Sequence, residues 1–349
     1  MSLDLRKLQI LEAIIDDYIT TGVPVGSRTV ARRDGMSISS ATIRNEMYDL
    51  KELGFLEQLH SSAGSTPSDK AYRLYVDSIM RRTKLNDDEQ KYIKEHFSAR
   101  IDDATDVIKQ TAKMLSDMTS YLSVVMPPQI HSIRLKRVQL VPIMPGATLL
   151  VVVADGGIVR DAVIDTPESL SPELLQRISN MLTQKLANQR LRDINEKLML
   201  ELIGELGERK DFLNLVHSMA SAIKKPPTKE IRNIEVSGQA KLLSFPEYSD
   251  VTRAQDLLLA LEEHELLYSI LDKATKVEFS ITIGDENEDP KMKNCSIVTA
   301  TYKIGDDPLG SFGVIGPTRM DYAHVLAIMS HMRQSISHIL TQLCFDDRD

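Results

Sequence analysis

Arg44 and Asn45 stand side by side in a segment whose apolar residues, Ile43, Met47, Leu50 and Leu53, return every three or four positions. That period predicts a helix, and its other face opens with Ser40, Thr42, Arg44 and Asn45. Arginine pairs bidentately with guanine and asparagine with adenine, while hydroxyls and cations bond to phosphate oxygens. Arg44 and Asn45 are therefore candidates for base contact. Ser27, Arg28, Ser40 and Thr42 are candidates for positioning on the sugar-phosphate backbone, with Ser39 and Tyr48 on the same segment. Glu46 and Asp49 follow, so only the first two turns can approach phosphates without repulsion.

Other chemistry has less support. His324, His331 and His338 recur every seventh residue, a spacing that makes a helical stripe rather than a metal site. Glu262-Glu263-His264-Glu265 reads as a solvated helix face. Gly313-Val-Ile-Gly-Pro-Thr-Arg-Met-Asp321 has the glycines and the cation of a phosphate cradle but lacks the GxxxxGK[ST] pattern. Asp321 fits better there as the N-cap of a closing helix, with Pro317 shaping the approach. No nucleophile grouping is visible, so an enzyme is not indicated, and neither a cofactor nor a metal is expected.

A helix that reads DNA must be held by others. Residues 4–20 predict an amphipathic helix through Leu8, Leu11, Ile14, Ile15, Tyr18 and Ile19, broken at Gly22 and Pro24. A short helix from Ser27 leads to Asp34-Gly35-Met36-Ser37. Gly35 can take the left-handed angles of a sharp reversal, and Ser39 or Ser40 can cap the next helix. After Gly54, residues 55–59 read as a strand, 61–67 as an exposed loop, and a helix follows from Asp69. That order is a winged helix-turn-helix.

Beyond a linker at 81–85, Asn86 and Glu89 open one long helix carrying Ile93, Phe97, Ile101, Ile108, Leu115 and Leu122, stopped by Pro127-Pro128. Strands are expected at 133–143, 147–154 and 158–164, the last two joined by an Asp155-Gly156-Gly157 hairpin turn. Ser171-Pro172-Glu173 opens a helix. Residues 192–276 are mostly helical and leucine-rich, strands resume from 277, and a helix closes the chain at 322–343. The expected fold class is α+β and multidomain. Residues 1–82 form the winged helix, 83–191 and 277–349 the two parts of one α+β domain, and 192–276 a helical insertion. Leu198, Leu202, Leu206, Phe212, Leu213, Leu257–Leu259, Leu266 and Leu267 give that insertion more apolar surface than it can hide, so it is expected to dimerise.

Composition sets the bounds. The 349 residues carry a net charge of −8, but residues 1–82 hold eleven acids and eleven bases, so the whole deficit lies downstream. Within those 82 residues Asp4, Glu12, Asp16 and Asp17 fall on the first helix and Arg28, Arg32, Arg33 and Arg44 on the helix pair, which permits a local basic surface. No apolar run approaches the roughly 18–20 residues of a membrane span, and no secretory leader is expected at the N-terminus. Cys295 and Cys344, without ligand spacing, suit a reducing cytoplasm.

Two sets of strings resemble a known family. Val23-Pro-Val-Gly-Ser-Arg-Thr-Val30, Ser39-Ser-Ala-Thr-Ile-Arg-Asn-Glu-Met47 and His60-Ser-Ser-Ala-Gly64 are similar to the N-terminal part of the heat-inducible transcription repressors, HrcA. Ile283-Gly-Asp-Glu-Asn-Glu288, Asn294-Cys-Ser-Ile-Val298 and Gly313-Val-Ile-Gly-Pro-Thr-Arg-Met-Asp-Tyr322 resemble its C-terminal part. The resemblance implies a winged helix, a GAF-like domain with a dimerising domain inserted into it, and a homodimer on an inverted-repeat operator. It also implies repression of chaperone operons, assisted by a GroE-type chaperonin. One position departs from it: Ser65 stands after Ala63-Gly64 where members usually carry a basic residue in the wing, and Lys70 and Arg73 are candidate replacements. The alternative is a winged-helix regulator that senses a small metabolite through its GAF-like part.

Overall fold

Helix α1 (Leu5–Thr21) begins at Asp4, whose carboxylate accepts from the Lys7 N–H, and ends at Gly22 in the left-handed region (φ 66°). The computed structural model describes residues 3–33, 36, 38–58, 64–81, 83–98, 104–128, 134–154, 159–204, 210–224, 234–304 and 307–345. Helix α2 (Ser27–Ala31) precedes α3 (Ser40–Glu52). Ser39 is the cap of α3, its hydroxyl accepting from the Thr42 N–H, and Gly54 at φ 77° turns the chain away. Ile43, Met47 and Leu50 of α3 are buried with Ile10, Leu11, Ile14 and Ile15 of α1. The reversal at Asp34, Gly35 and Ser37 and the wing residues 59–63 lie outside the described residues.

Strands β1 (Leu56–Glu57) and β2 (Thr66–Pro67) pair antiparallel, and α4 (Asp69–Leu74) follows from its Ser68 cap and runs on as a π-helical turn, Tyr75–Ile79. The exposed loop expected over 61–67 is wrong at its described end, where Ser65, Thr66 and Pro67 are all buried. The returning chain pairs twice: β2 with β1, and Ser65 with Val25 through two main-chain hydrogen bonds of 2.9 Å. A Cβ on Gly64 would sit 2.6 Å from the Pro24 carbonyl, so glycine permits that approach.

The single long helix expected from Asn86 is two helices, α5 (Asp87–Ser98) and α6 (Ala104–Thr119), followed by strand β3 (Leu122–Val125). The box at the start of α5 is as expected, with Asn86 and Glu89 each accepting from the other's N–H. Leu122 belongs to a strand because Ser120, at φ 61°, ends α6.

Strands β4 (Leu135–Met144), β5 (Ala147–Ala154) and β6 (Val159–Asp165) form a separate three-stranded antiparallel sheet, with the 155–158 turn outside the described residues. Helix α7 (Pro172–Leu186), capped by Ser171, lies on one face of it, followed by a 3₁₀ turn, Leu191–Asp193, α8 (Glu196–Gly204) and α9 (Lys210–Lys224). Val138, Leu140, Leu150, Val152 and Ile164 meet Leu175, Ile178 and Leu182 there.

Strand β7 (Glu235–Ser237) returns to the first sheet. Helices α10 (Gln239–Leu242), α11 (Val251–Glu262) and α12 (His264–Ala274) lead to β8 (Phe279–Ile283), β9 (Cys295–Ile304), β10 (Asp307–Pro317) and the closing α13 (Tyr322–Phe345). The five-stranded sheet has the order β7-β3-β10-β9-β8, antiparallel throughout. Both its faces are covered. Val125, Val298, Ala300, Phe312 and Val314 pack with α6 and α13, while Leu122, Val124, Ile297 and Ile315 pack with Leu257, Leu261, Leu267 and Leu271. All four residues of β3 are buried, and its one polar side chain, Ser123, donates to the Ala112 carbonyl.

This arrangement corrects the expected boundaries. The segment spliced into the five-stranded domain, between β3 and β7, carries β4–β6 and α7–α9, roughly 134–224 rather than 192–276. Strands assigned to 83–191 leave that domain, and α11 and α12 join it because their leucines have a sheet to cover. Leu271→Ala is expected to cost about 2–5 kcal/mol, whereas Leu259→Ala, at a residue 45% exposed, should stay within about 0.5 kcal/mol. Denaturant unfolding checks both, and equal losses would contradict the placement of α12 on the sheet.

Candidate nucleic-acid interface

With Ile43, Met47 and Leu50 turned inward, Ala41, Arg44, Asn45 and Tyr48 form an outward stripe at i, i+3, i+4 and i+7. Ser40 is exposed at its N-terminal end, and Tyr48 is 63% exposed, unusual for an aromatic without a partner. Arg28 on α2 is exposed, and Arg32 lies four residues on. Among the described residues, Arg28, Arg32 and Arg44 have no carboxylate or carbonyl partner, so their guanidinium groups are available to an anion. Arg32 was missing from the sequence-derived contacts, although its spacing from Arg28 is the helical signal that finds it. Ser27 and Thr42 are half-buried, and Ser39 and Thr42 bond to each other at 2.9 Å as part of the α3 cap.

The acids on α3 are already neutralised. Lys7 of α1 lies 2.7 Å from Glu46 and 3.1 Å from Asp49, and Arg6 lies 3.6 Å from Glu46. Hydrogen bonds to Glu46, then to Asp49, push the Lys7 ammonium above its ordinary range. The repulsion expected beyond the second turn is thereby reduced. Arg33 leaves the basic set for the same kind of reason. It donates to the Ala13 carbonyl and to Asp16, both at 2.8 Å, and ties α2 to α1.

Two expected contacts are corrected. The Arg73 guanidinium is directed at Glu286 and at the Ile281 carbonyl (2.7 Å), away from any wing role. Lys70 donates to the Leu53 carbonyl at 2.8 Å and lies 4.4 Å from the Phe55 ring centre, closing the end of α3. Ser65, buried in the ribbon, cannot reach a phosphate either.

The remaining motifs are structural. Asp321 caps α13, accepting from the His324 N–H at 3.1 Å, and Arg319 of the glycine-rich string is occupied by Glu247. His324 faces Glu89 at 3.3 Å. A cavity of about 190 Å³ opens beside Ser269, Lys273, Thr282 and Thr299. It is smaller than the roughly 300–1,000 Å³ of ordinary ligand sites. Among the described residues no helix is long and apolar enough to cross a membrane, and no cluster could hold a metal ion.

A short helix, a reading helix with a free cationic face, and a two-stranded wing behind them define a winged-helix DNA-binding protein. Residues 2–79 match the model of the winged helix-turn-helix transcription repressor, HrcA DNA-binding, and residues 105–326 that of the HrcA protein C-terminal domain. The chain is 39% identical to the heat-inducible transcription repressor HrcA of Pelotomaculum thermopropionicum over 346 residues, 98% of each chain. It is likewise 39% identical to that of Acetivibrio thermocellus over 350 residues, 99% of each. The chain belongs to the HrcA family of heat-inducible transcription repressors, which are regulators and not enzymes. A crystal structure described as a hypothetical protein at 2.2 Å resolution shares the fold, with a TM-score of 0.65 at 23% identity, covering 98% of this chain and 100% of that one.

Lys7→Ala would leave Asp49 without its cation and Glu46 with Arg6 alone, at 3.6 Å. It should weaken binding to any DNA by about three- to tenfold at low salt, the loss shrinking as salt screens it. Fluorescence anisotropy across a salt series checks this, and unchanged low-salt affinity would place these acids away from the phosphates.

Proposed function

We propose that the chain binds an inverted-repeat operator as a homodimer, with α3 of each protomer in a major groove, and so represses heat-shock chaperone operons of the chaperonin and Hsp70 type. The observation that carries this reading is the free stripe of α3. Arg44 and Asn45 have the chemistry for base edges, while Ser27, Arg28, Arg32, Ser40, Thr42 and Tyr48 surround them for the backbone. The strand order of the five-stranded sheet, counted without the insertion, is 2-1-5-4-3, which supports a GAF-like domain.

The second copy has a surface to meet. The face of the three-stranded sheet opposite α7 carries, in register, Val141, Leu149 and Val163 in one row and Arg137, Val153 and Val159 in another, with Gln139, Val151 and Asp161 in the row between them. Val163 is 65% and Val159 56% exposed. An apolar face of this kind is self-complementary about a two-fold axis, which would let an inverted repeat mirror the protein. This moves the dimer surface from the expected leucines of 192–276 onto β4–β6.

Release on heating then follows from opening of that interface, which would present the valine face to a GroE-type chaperonin in the cytoplasm. Rescue by free chaperonin, and its absence when other unfolded chains occupy it, would close a feedback loop. Operator binding after brief warming, with and without chaperonin and ATP, tests this; full recovery without chaperonin would remove it.

Arg44→Ala should cost about 1–3 kcal/mol at one base pair and relax discrimination there, whereas Arg28→Ala should weaken all sequences alike. Competition binding against operator variants measures both, and an unchanged ratio of specific to random affinity would overturn the assignment of α3. Val163→Asp should give monomers in sedimentation velocity with the fold retained; a dimer as stable as the original would move the interface elsewhere.

A further inference from the structure

Two C-terminal strings, Ile283-Gly-Asp-Glu286 and Gly316-Pro-Thr-Arg319, take no part in reading DNA, yet both grip the winged helix. The first follows β8 and lies against α4. Arg73 of α4 donates to Glu286 at 2.7 Å through Nε, and again through its second nitrogen, which also reaches the Ile281 carbonyl at 2.7 Å. In return the Asp285 N–H donates to the Asp69 carboxylate at 3.0 Å. Gly284 holds φ 53°, and a Cβ there would lie 1.7 Å from an Asp69 oxygen, so only glycine lets the loop close on the helix. Burial by itself would raise the Glu286 carboxyl. The Arg73 guanidinium and the Ile283 N–H outweigh that and hold it below its ordinary range.

The second string holds α1. Arg319 donates to the Ile19 carbonyl at 3.1 Å in the last turn of α1, and grips Glu247 through Nε and, at 3.3 Å, through a second nitrogen. Its side chain is only 11% exposed, and its guanidinium carbon would lie 3.2 Å from a Cβ on Gly22. Between the two grips, Tyr72 of α4 and Tyr322 of α13 are both buried, with ring centres 6.1 Å apart. The winged helix is therefore docked at two charged points with an aromatic contact between them, and α3 is packed on the helix that the second point holds.

We propose that these two strings form a clamp that fixes the angle of each recognition helix on the five-stranded domain, and so sets the operator spacing that the dimer accepts. The proposal rests on the dimeric operator reading above. A winged helix attached only through residues 80–86 would swing and tolerate many spacings; a clamped one presents two reading helices at one separation and rotation.

The test is equilibrium binding of the full chain to operators whose half-sites are moved apart or together by up to about 5 bp, half a helical turn, and to a single half-site. The unaltered protein should show a sharp optimum. Glu286→Arg and Glu247→Ala should each flatten that profile, with about a tenfold loss at the optimum and single half-site affinity within about twofold. Arg73→Lys, which keeps a cation against Glu286, should retain most of the peak where Arg73→Ala loses it. Folded Glu286→Arg, Glu247→Ala and Arg73→Ala variants, by circular dichroism, that keep the sharp profile would overturn the clamp, as would an equal loss at single half-sites. An unaltered protein that does not prefer paired half-sites would instead overturn the dimeric operator reading, and the clamp with it.

Discussion

The packing of Ile10, Leu11, Ile14 and Ile15 against Ile43, Met47 and Leu50 fixes which face of α3 is left outside. Burying these seven apolar side chains at roughly 1.5–3 kcal/mol each outweighs any surface ion pair in this domain. Polar contacts then refine what burial has set. Lys7 takes the charges of Glu46 and Asp49, Arg33 binds the side of α1, and Lys70 closes the C-terminal end of α3. Among the described residues Arg28, Arg32 and Arg44 keep no such partner, and this lets a chain of net charge −8 present a basic face on α2 and α3.

The same reasoning explains how the five-stranded domain tolerates a long insertion. The spliced segment leaves from the end of β3 and returns at β7, and these two strands pair directly in register from Ser123–Ser237 to Val125–Glu235. The ends of the insertion are therefore held close by the host sheet, and the inserted sheet folds around its own helix α7. Val138 and Leu140 pack there with Leu175, Ile178 and Leu182 of α7, and the Ser179 hydroxyl of that helix accepts from the Leu140 N–H.

Elements with local chemistry were legible in the sequence. The caps at Ser39, Asn86, Ser171 and Asp321 act within three residues, and the glycines at 22 and 54 mark left-handed exits, so their helix ends could be read directly. The exposed stripe of α3 was legible for the same reason, because its period is carried by its own apolar residues. What failed was distant. Helices α5 and α6 read as one because Phe97, Ile108 and Leu115 keep a helical period on both sides of the break. Arg73 read as a wing cation because its partner lies 213 residues away. The leucines of α11 and α12 read as an exposed surface because the strands that cover them, β9 and β10, lie later in the chain. A side chain can announce that it must be buried, but it does not announce against what.

The inserted sheet shows how association can be directed to a face and kept away from an edge. Strand β4 is one edge, and its outward main chain is already bonded by α7: Thr183 exchanges two bonds of 3.0 Å with Val138, and Ser179 accepts from the Leu140 N–H at 2.9 Å. The other edge, β6, carries Asp161 and Asp165, charges that discourage another strand from adding there. Open-ended pairing is thus opposed at both edges while the valine face stays available. A face buried about a two-fold axis closes on itself after two copies, whereas an edge does not close. In the dimeric reading proposed above, such a face would close on a finite pair, the form that can present two reading helices to one operator.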